Sequence, residues 1–255
     1  MSFAAFASRL ADAARAVTLL AADRTIEDKS KGGVFDPVTD ADRDAEQAMR
    51  ALIEAEHPDH GIAGEELDDR PASCAYRWSL DPIDGTRSFI CGLPTWTTLI
   101  ALLEDGAPIV GLIDASLLDE RSLGEGKHAW LNGGEIRTSA CRSLGVARLS
   151  TTDPFLFMGE EAAAFERLRR AVRLTRFGHD AYAYARLAAG SIDLVAESGL
   201  KPHDFNALVP VVRGAGGIIG NWRGGADLEA GQVLAAATPE LFDEAVELLA
   251  LRVSE

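Results

Sequence analysis

The stretch Tyr76-Arg77-Trp78-Ser79-Leu80-Asp81-Pro82-Ile83-Asp84-Gly85-Thr86 runs from a strand-like pattern straight into two aspartates, a proline and a glycine. Residues 76–81 carry the aromatic and apolar content of a strand, which places Asp81 at its end and Asp84 three residues beyond. Hard divalent cations take oxygen ligands, and Mg²⁺ asks for a few carboxylates with water completing its shell. Asp81, Asp84 and the Ile83 carbonyl between them supply such oxygens from one short segment. Gly85 lets the backbone approach a ligand closely. A helical turn opening at that glycine would aim free N–H groups at an anion. Asp-Pro and Asp-Gly are also common turn dipeptides, so the motif gains its meaning from the acids around it.

On the N-terminal side, Phe3, Phe6, Ala7, Leu10, Ala14 and Val17 recur at helical spacing and predict a helix over 3–22. A Gly/Lys-containing loop at 29–33 leads into Asp36-Pro37-Val38-Thr39-Asp40-Ala41-Asp42. Thr39 with Asp42 spells a capping box for a helix running to about Glu56. Ile62-Ala63-Gly64-Glu65-Glu66 reads as a short strand ending in two acids. Strands are expected at 96–103 and 109–114, with a hairpin in the glycine-rich stretch 124–134. The second half alternates: helix 160–173, strand 174–177, helix 181–189, strand 191–196, helix 204–214 kinked at Pro210, and strand 217–221. A final helix opens with Thr238 as N-cap and Pro239 in its first turn. This divides the chain into an α+β half, 1–140, holding most of the acidic motifs, and an α/β half, 141–255, sharing one interface.

The chain has 255 residues, enough for a full core. Its 25 Lys+Arg against 40 Asp+Glu leave a formal charge of −15. Such a surface repels nucleic acid and anionic membranes over a Debye length of about 10 Å, which argues against both as partners. An anionic substrate would need local positive charge, and bound metal is one source. Three scattered cysteines, Cys74, Cys91 and Cys141, form no CxxC pair and indicate neither a disulfide framework nor a structural zinc site. The Ala-rich N-terminus lacks a basic lead, and Arg9, Asp12 and Arg15 interrupt its apolar run, unlike a signal peptide. No uncharged apolar stretch of about 18 residues is present, so the expected location is cytoplasmic.

Taken together, Asp-Pro-Ile-Asp-Gly-Thr at 81–86, Gly-Glu-Glu at 64–66, Asp36-Pro37-Val38-Thr39-Asp40-Ala41-Asp42 and Lys201-Pro202-His203-Asp204-Phe205-Asn206 resemble the inositol monophosphatase family of metal-dependent phosphatases. The four motifs stand in the family's order and spacing, over about residues 30–225. The resemblance implies a layered α/β architecture, the αβαβα sugar-phosphatase fold, and commonly a homodimer. It also implies two or three Mg²⁺ ions per site, held by Glu65, Asp81, the Ile83 carbonyl, Asp84 and Asp204. Asp36 and Thr86 would together orient and deprotonate the attacking water, and the backbone at Gly85 and Thr86 would cradle the phosphate. These roles suit phosphoryl transfer, which depends on positioning and charge neutralisation. A hydroxyl paired with a carboxylate can relay a proton.

Substrate choice is expected from Asp180 and Glu197, with Arg87 as a further candidate for an anionic group. The stretches 83–103, 181–195 and 199–217 look like the histidinol-phosphatase branch of the family. A carboxylate at 180 would suit a cationic leaving group better than a polyol. Inositol 1-phosphate or a related sugar phosphate is the alternative substrate. A metal- or phosphate-binding regulatory role would be signalled by loss of Asp36, Thr86 or a ligand, and none is lost. His179 is expected to pack rather than bind, Lys201 to support the acids, and His203 not to ligate, because Mg²⁺ prefers oxygen. Trp78 and Trp96 read as core; Trp130, in the turn-rich region, as exposed or interfacial.

Overall fold

The computed structural model describes residues 2–20, 26–28 and 37–250. Asp36, the loop at 29–33 and residues 21–22 lie outside the described residues; the helix expected over 3–22 already ends at Thr18. Helix α1 (Phe3–Thr18) starts at Ser2, whose hydroxyl accepts from the Ala5 amide, and ends at Thr18. A short antiparallel ribbon, β1 (Ile26–Asp28) with β2 (Pro37–Thr39), leads to α2 (Asp40–Glu56). The capping box expected there is present: the Asp42 carboxylate accepts from the Thr39 amide at 2.9 Å and from its hydroxyl at 2.5 Å.

A seven-stranded sheet follows, built in the spatial order of the chain from β3 (Gly61–Gly64), β4 (Tyr76–Asp84), β5 (Thr97–Glu104), β6 (Ala107–Ala115), β7 (Glu120–Glu125), β8 (His128–Leu131) and β9 (Gly134–Glu135). The five-residue helix α3 (Thr86–Ile90) interrupts it between β4 and β5. The expected hairpin is β7–β8, with Glu125 paired to His128 across a two-residue turn. A second, five-stranded sheet has the order β11-β10-β12-β14-β13. Its members are β10 (Arg148–Thr151), β11 (Leu174–Phe177), β12 (Leu194–Glu197), β13 (Ile218–Gly220) and β14 (Val233–Ala236). The helices among them are α4 (Gly159–Ala171), α5 (Tyr182–Ala188), α6 (Pro202–Phe205), α7 (Leu208–Gly214) and α8 (Pro239–Leu249).

Side-chain periodicity makes the layers. Along β5, Ile100 and Leu102 pack with α1 and α2, while Leu99, Ala101 and Leu103 pack with α5, α6 and α7. Along β12, Val195 joins that same middle layer, and Leu194 and Ala196 face α4 and α8. Strands covered by helices on both faces read as unbroken apolar runs, which is why 96–103 shows no polar alternation. The resulting order is helices, sheet, helices, sheet, helices: the αβαβα arrangement. Trp78 and Trp96 are core, and Trp130 is half-buried against His128. Among the described residues the three cysteines are free, and no helix is long and apolar enough to cross a membrane.

Two details differ from the sequence expectation. The helix expected over 204–214 is broken at Asn206-Ala207 into α6 and α7 rather than kinked at Pro210. Pro210 has no N–H for the Asn206 carbonyl and its ring would collide with it, so the chain restarts and the proline falls in the first turn of α7. The strand expected to end at Asp81 continues to Asp84.

Helix α7 lies against the sheet at glycines. A Cβ on Gly111 would stand 2.1 Å from the Ala207 carbonyl oxygen, which is backbone and cannot swing aside. Gly111→Ala is expected to destabilise by about 3 kcal/mol through overpacking. The melting temperature would fall by roughly 10 °C for a domain of this size, measured by calorimetry. An unchanged melting temperature would mean that α7 does not sit this close.

Candidate active site

Side chains alternate across a strand, so Asp81 and Asp84, three apart, would point to opposite faces of a regular β4. The pairing with β5 shows how they come together. Asp81 lies opposite Leu99 and Asp84 opposite Thr97, three residues against two, with a register shift between them. This one-residue bulge at Pro82-Ile83 reverses the phase, and Pro82, lacking an N–H, suits a position withdrawn from the ladder. Carboxylate oxygens of Asp81, Asp84 and Asp204 all lie within 4.8 Å of one another. Asp204 arrives from the other half of the chain on α6, where its carboxylate also accepts from the Lys201 amide at 2.7 Å. It is thus both cap and cluster member.

The electrostatics are those of a site made for cations. Burial pushes the Asp81 carboxyl well above the usual range, and the charges of Glu65, Asp84 and Asp204 push it further. Asp84 is raised likewise, by desolvation first and then by Asp180 and Asp204. Asp204 is raised mainly by desolvation and lowered by His203, whose Nε2 lies 3.4 Å from its Oδ1. Glu65, half-buried just after β3, is near enough for its charge to act on all three. A set of hard oxygen donors that repel one another fits a divalent hard cation. Lys201 is exposed and reaches Asp204 through its backbone amide.

Beside this cluster the chain turns into α3. Gly85 has φ +79°, the left-handed region, and a Cβ there would lie 2.9 Å from the Asp180 carboxylate. The first helical bond runs from the Phe89 amide to the Gly85 carbonyl, so the amides of Thr86, Arg87 and Ser88 have no acceptor within α3. The Thr86 hydroxyl donates to the Ile83 carbonyl at 3.1 Å. Two groups singled out from the sequence, one as a ligand and one as a proton relay, are therefore bonded to each other. The Ile83 side chain is core, packed with Ala41, Phe89 and Trp96.

Asp180 and Glu197 are brought to the same cleft, which Asp84, Thr152, Ala181, Tyr184, Leu200, Asp204 and Leu208 also line. Asp180 has φ 45°, a left-handed conformation in which aspartate is tolerated but strained. That turn lets the next amide, of Ala181, donate to Asp84 at 2.7 Å, tying the two halves together at the site. Burial raises the Asp180 carboxyl, while Thr152, Ser88 and the charge of Arg87 lower it. Glu197 ends β12, is 4% exposed, and is pushed up to about 8 by burial. It accepts from the Thr152 amide at 2.7 Å and from the Thr152 and Thr151 hydroxyls at 3.1 and 3.2 Å. Arg87 pairs with Asp153 at 3.6 Å on the rim and does not line this cleft. His179 packs by its loop with Nδ1 3.1 Å from the Ser150 hydroxyl.

Thr152, Tyr184 and Ser88 had no signal in the sequence. Thr152 follows β10, and only the parallel pairing of β10 with β12 sets it beside Glu197. Ligand sites at the carboxyl ends of parallel strands are the general rule, so the topology would have pointed there.

Comparison with known proteins agrees with this geometry. The model of the inositol monophosphatase family matches residues 2–253. The bifunctional phosphatase IMPL2, chloroplastic, of Arabidopsis thaliana is 49% identical over 225 residues, covering 87% of this chain and 65% of that protein's length. A histidinol-phosphatase of Chlorobaculum parvum is 36% identical over 203 residues, 79% of this chain and 78% of that one. Among solved structures, an inositol monophosphatase from Zymomonas mobilis superposes with a TM-score of 0.87 at 43% identity, covering 97% of each chain. The chain belongs to the inositol monophosphatase family.

Proposed function

We propose that this phosphatase hydrolyses an amine-bearing phosphate monoester, histidinol phosphate, to histidinol and inorganic phosphate with the help of Mg²⁺. The observation that carries this reading is the pair Asp180 and Glu197 in one cleft with Asp84 and Asp204, a cleft lined among the described residues by no Lys, Arg or His. A neutral polyol would offer these two carboxyl groups no counter-charge, so that they could ionise only at a cost in this buried setting. An ammonium group supplies the charge and the N–H donors together. The histidinol-phosphatase name carried by a relative spanning most of both chains supports the same choice.

Asp81, Asp84 and Asp204 would hold the metal, with Glu65 and the Ile83 carbonyl as further oxygens. Divalent cations bound there would offset the carboxylate charge, acidify water and stabilise the leaving oxygen. The chain's own groups do the rest. The amides at the start of α3 donate to phosphate oxygens. The Thr86 hydroxyl takes the proton of the attacking water and passes on its own, the role that the family resemblance gives it together with Asp36. Asp180 and Glu197 fix the leaving group so that its ester oxygen faces away from the incoming water.

Phosphate release from L-histidinol phosphate and from inositol 1-phosphate, measured side by side with Mg²⁺ and with EDTA, tests this. The expected kcat/KM favours L-histidinol phosphate by more than about tenfold, a margin that one charge pair can supply, and EDTA abolishes both activities. A preference for inositol 1-phosphate would reassign the substrate, and turnover in EDTA would remove the metal from the reaction.

A further inference from the structure

Tyr184 stands on α5, 2% exposed, and lines the cleft between Glu197 and the aspartate cluster. Its hydroxyl is buried without a hydrogen-bond partner. Such atoms are few among the described residues: Arg70 Nη1, Trp96 Nε1, Arg121 Nη2 and Tyr184 Oη. The two arginine atoms face carboxylates at ion-pair distance, Glu54 at 3.7 Å and Asp12 at 2.8 Å. Of the remaining two, only Tyr184 lines the cleft.

A buried hydroxyl left unmatched costs stability, and phenylalanine would fill the same space without that cost. The hydroxyl is therefore expected to meet a partner that arrives with the ligand. Burial holds Tyr184 in its neutral form, and the charges of Glu197, Asp84 and Asp204 reinforce this, so its oxygen is a neutral acceptor in a negative field. The hydroxyl and amide of Thr152 are already engaged by Glu197.

We propose that Tyr184 Oη is a specificity-determining acceptor for the ammonium of the leaving group, forming with Asp180 and Glu197 a three-acceptor cage. A primary ammonium has three N–H donors, one for each acceptor. The inference rests on the amine-phosphate reading above and adds a residue whose removal leaves both carboxylates in place.

The test is Tyr184→Phe in the Mg²⁺-loaded protein. KM for L-histidinol phosphate is expected to rise about tenfold with little change in kcat, while kcat/KM for p-nitrophenyl phosphate, which has no amine, stays within about twofold. Calorimetric affinity for L-histidinol itself is expected to fall by about the same tenfold factor, since the contact is made in the ground state. The melting temperature is expected to be equal to or above that of the wild type, because the unmatched hydroxyl is gone. Unchanged affinity for L-histidinol would overturn the proposal. So would an equal loss on both esters, which marks a packing role, or a loss on inositol 1-phosphate with the amine ester spared. The wild-type preference between L-histidinol phosphate and inositol 1-phosphate reports separately on the substrate reading.

Discussion

Replacing Asp84 by Asn is expected to reduce Mg²⁺-dependent phosphate release by about 10³-fold, as loss of a central electrostatic group does in other active sites, while leaving the fold intact. The two halves of this expectation have separate causes. Asp84 contributes oxygen and charge to a cluster whose members lie within 4.8 Å of one another, and a neutral amide offers a weaker single donor to a hard cation. Its structural duties survive the change. Asn retains an oxygen to accept from the Ala181 amide at 2.7 Å and the Thr97 hydroxyl at 3.3 Å. The substitution also removes one charge from a group that desolvation, Asp180 and Asp204 already disfavour. In EDTA the variant should therefore melt at or above the wild-type temperature. Added Mg²⁺ should raise the wild-type melting temperature and move the variant less, because stabilisation by a ligand follows its affinity for the folded state. Near-wild-type turnover of the variant at saturating Mg²⁺ would overturn the role given to Asp84.

The acids of this site were legible in the sequence because their chemistry is written in residue type: Asp81, Asp84, Glu65 and Asp204 each stand in a short motif of their own. How they meet was not. A strand that simply ended at Asp81 would have left Asp84 to a loop, and the bulge that turns both aspartates to one side depends on pairing with Leu99 and Thr97. The capping role of Asp42 followed from Thr39, since both partners lie within one turn. The break before α7 replaces the kink expected at Pro210, because a proline's effect on the preceding carbonyl depends on whether the chain can restart within the available space. That space is set by the approach of α7 to Gly111 and Gly124. The cleft itself was half-visible. Glu197 stands out by its spacing to Asp204 and Asp180 by its charge, but Thr152 and Tyr184 carry no charge and reach the site only through parallel strand order and the packing of α5.

Glu197→Gln is expected to remove a pH dependence of stability that the wild type carries. The carboxyl titrates near 4.5 in an unfolded chain and is pushed up to about 8 in the folded one, burial outweighing the three hydrogen bonds it accepts. Between those values the folded state holds one proton more than the unfolded state. Stability therefore falls as pH rises through this window: the contribution is complete below about 4.5 and gone above about 8. A shift of that size corresponds to about 5 kcal/mol, or on the order of 10 °C in melting temperature across the window. Thermal melts in EDTA from pH 5 to 9 should show the variant flatter than the wild type, and parallel curves would show that Glu197 is ionised throughout. The same proton bears on the substrate. An ammonium group pairs with a carboxylate, so on the amine-phosphate reading L-histidinol binding at neutral pH would expel the proton from Glu197, whereas a neutral polyol has no such demand. Calorimetry in buffers of different ionisation heat should find proton release on L-histidinol binding in the wild type and less of it in Glu197→Gln. Equal release in both would mean that the amine pairs elsewhere.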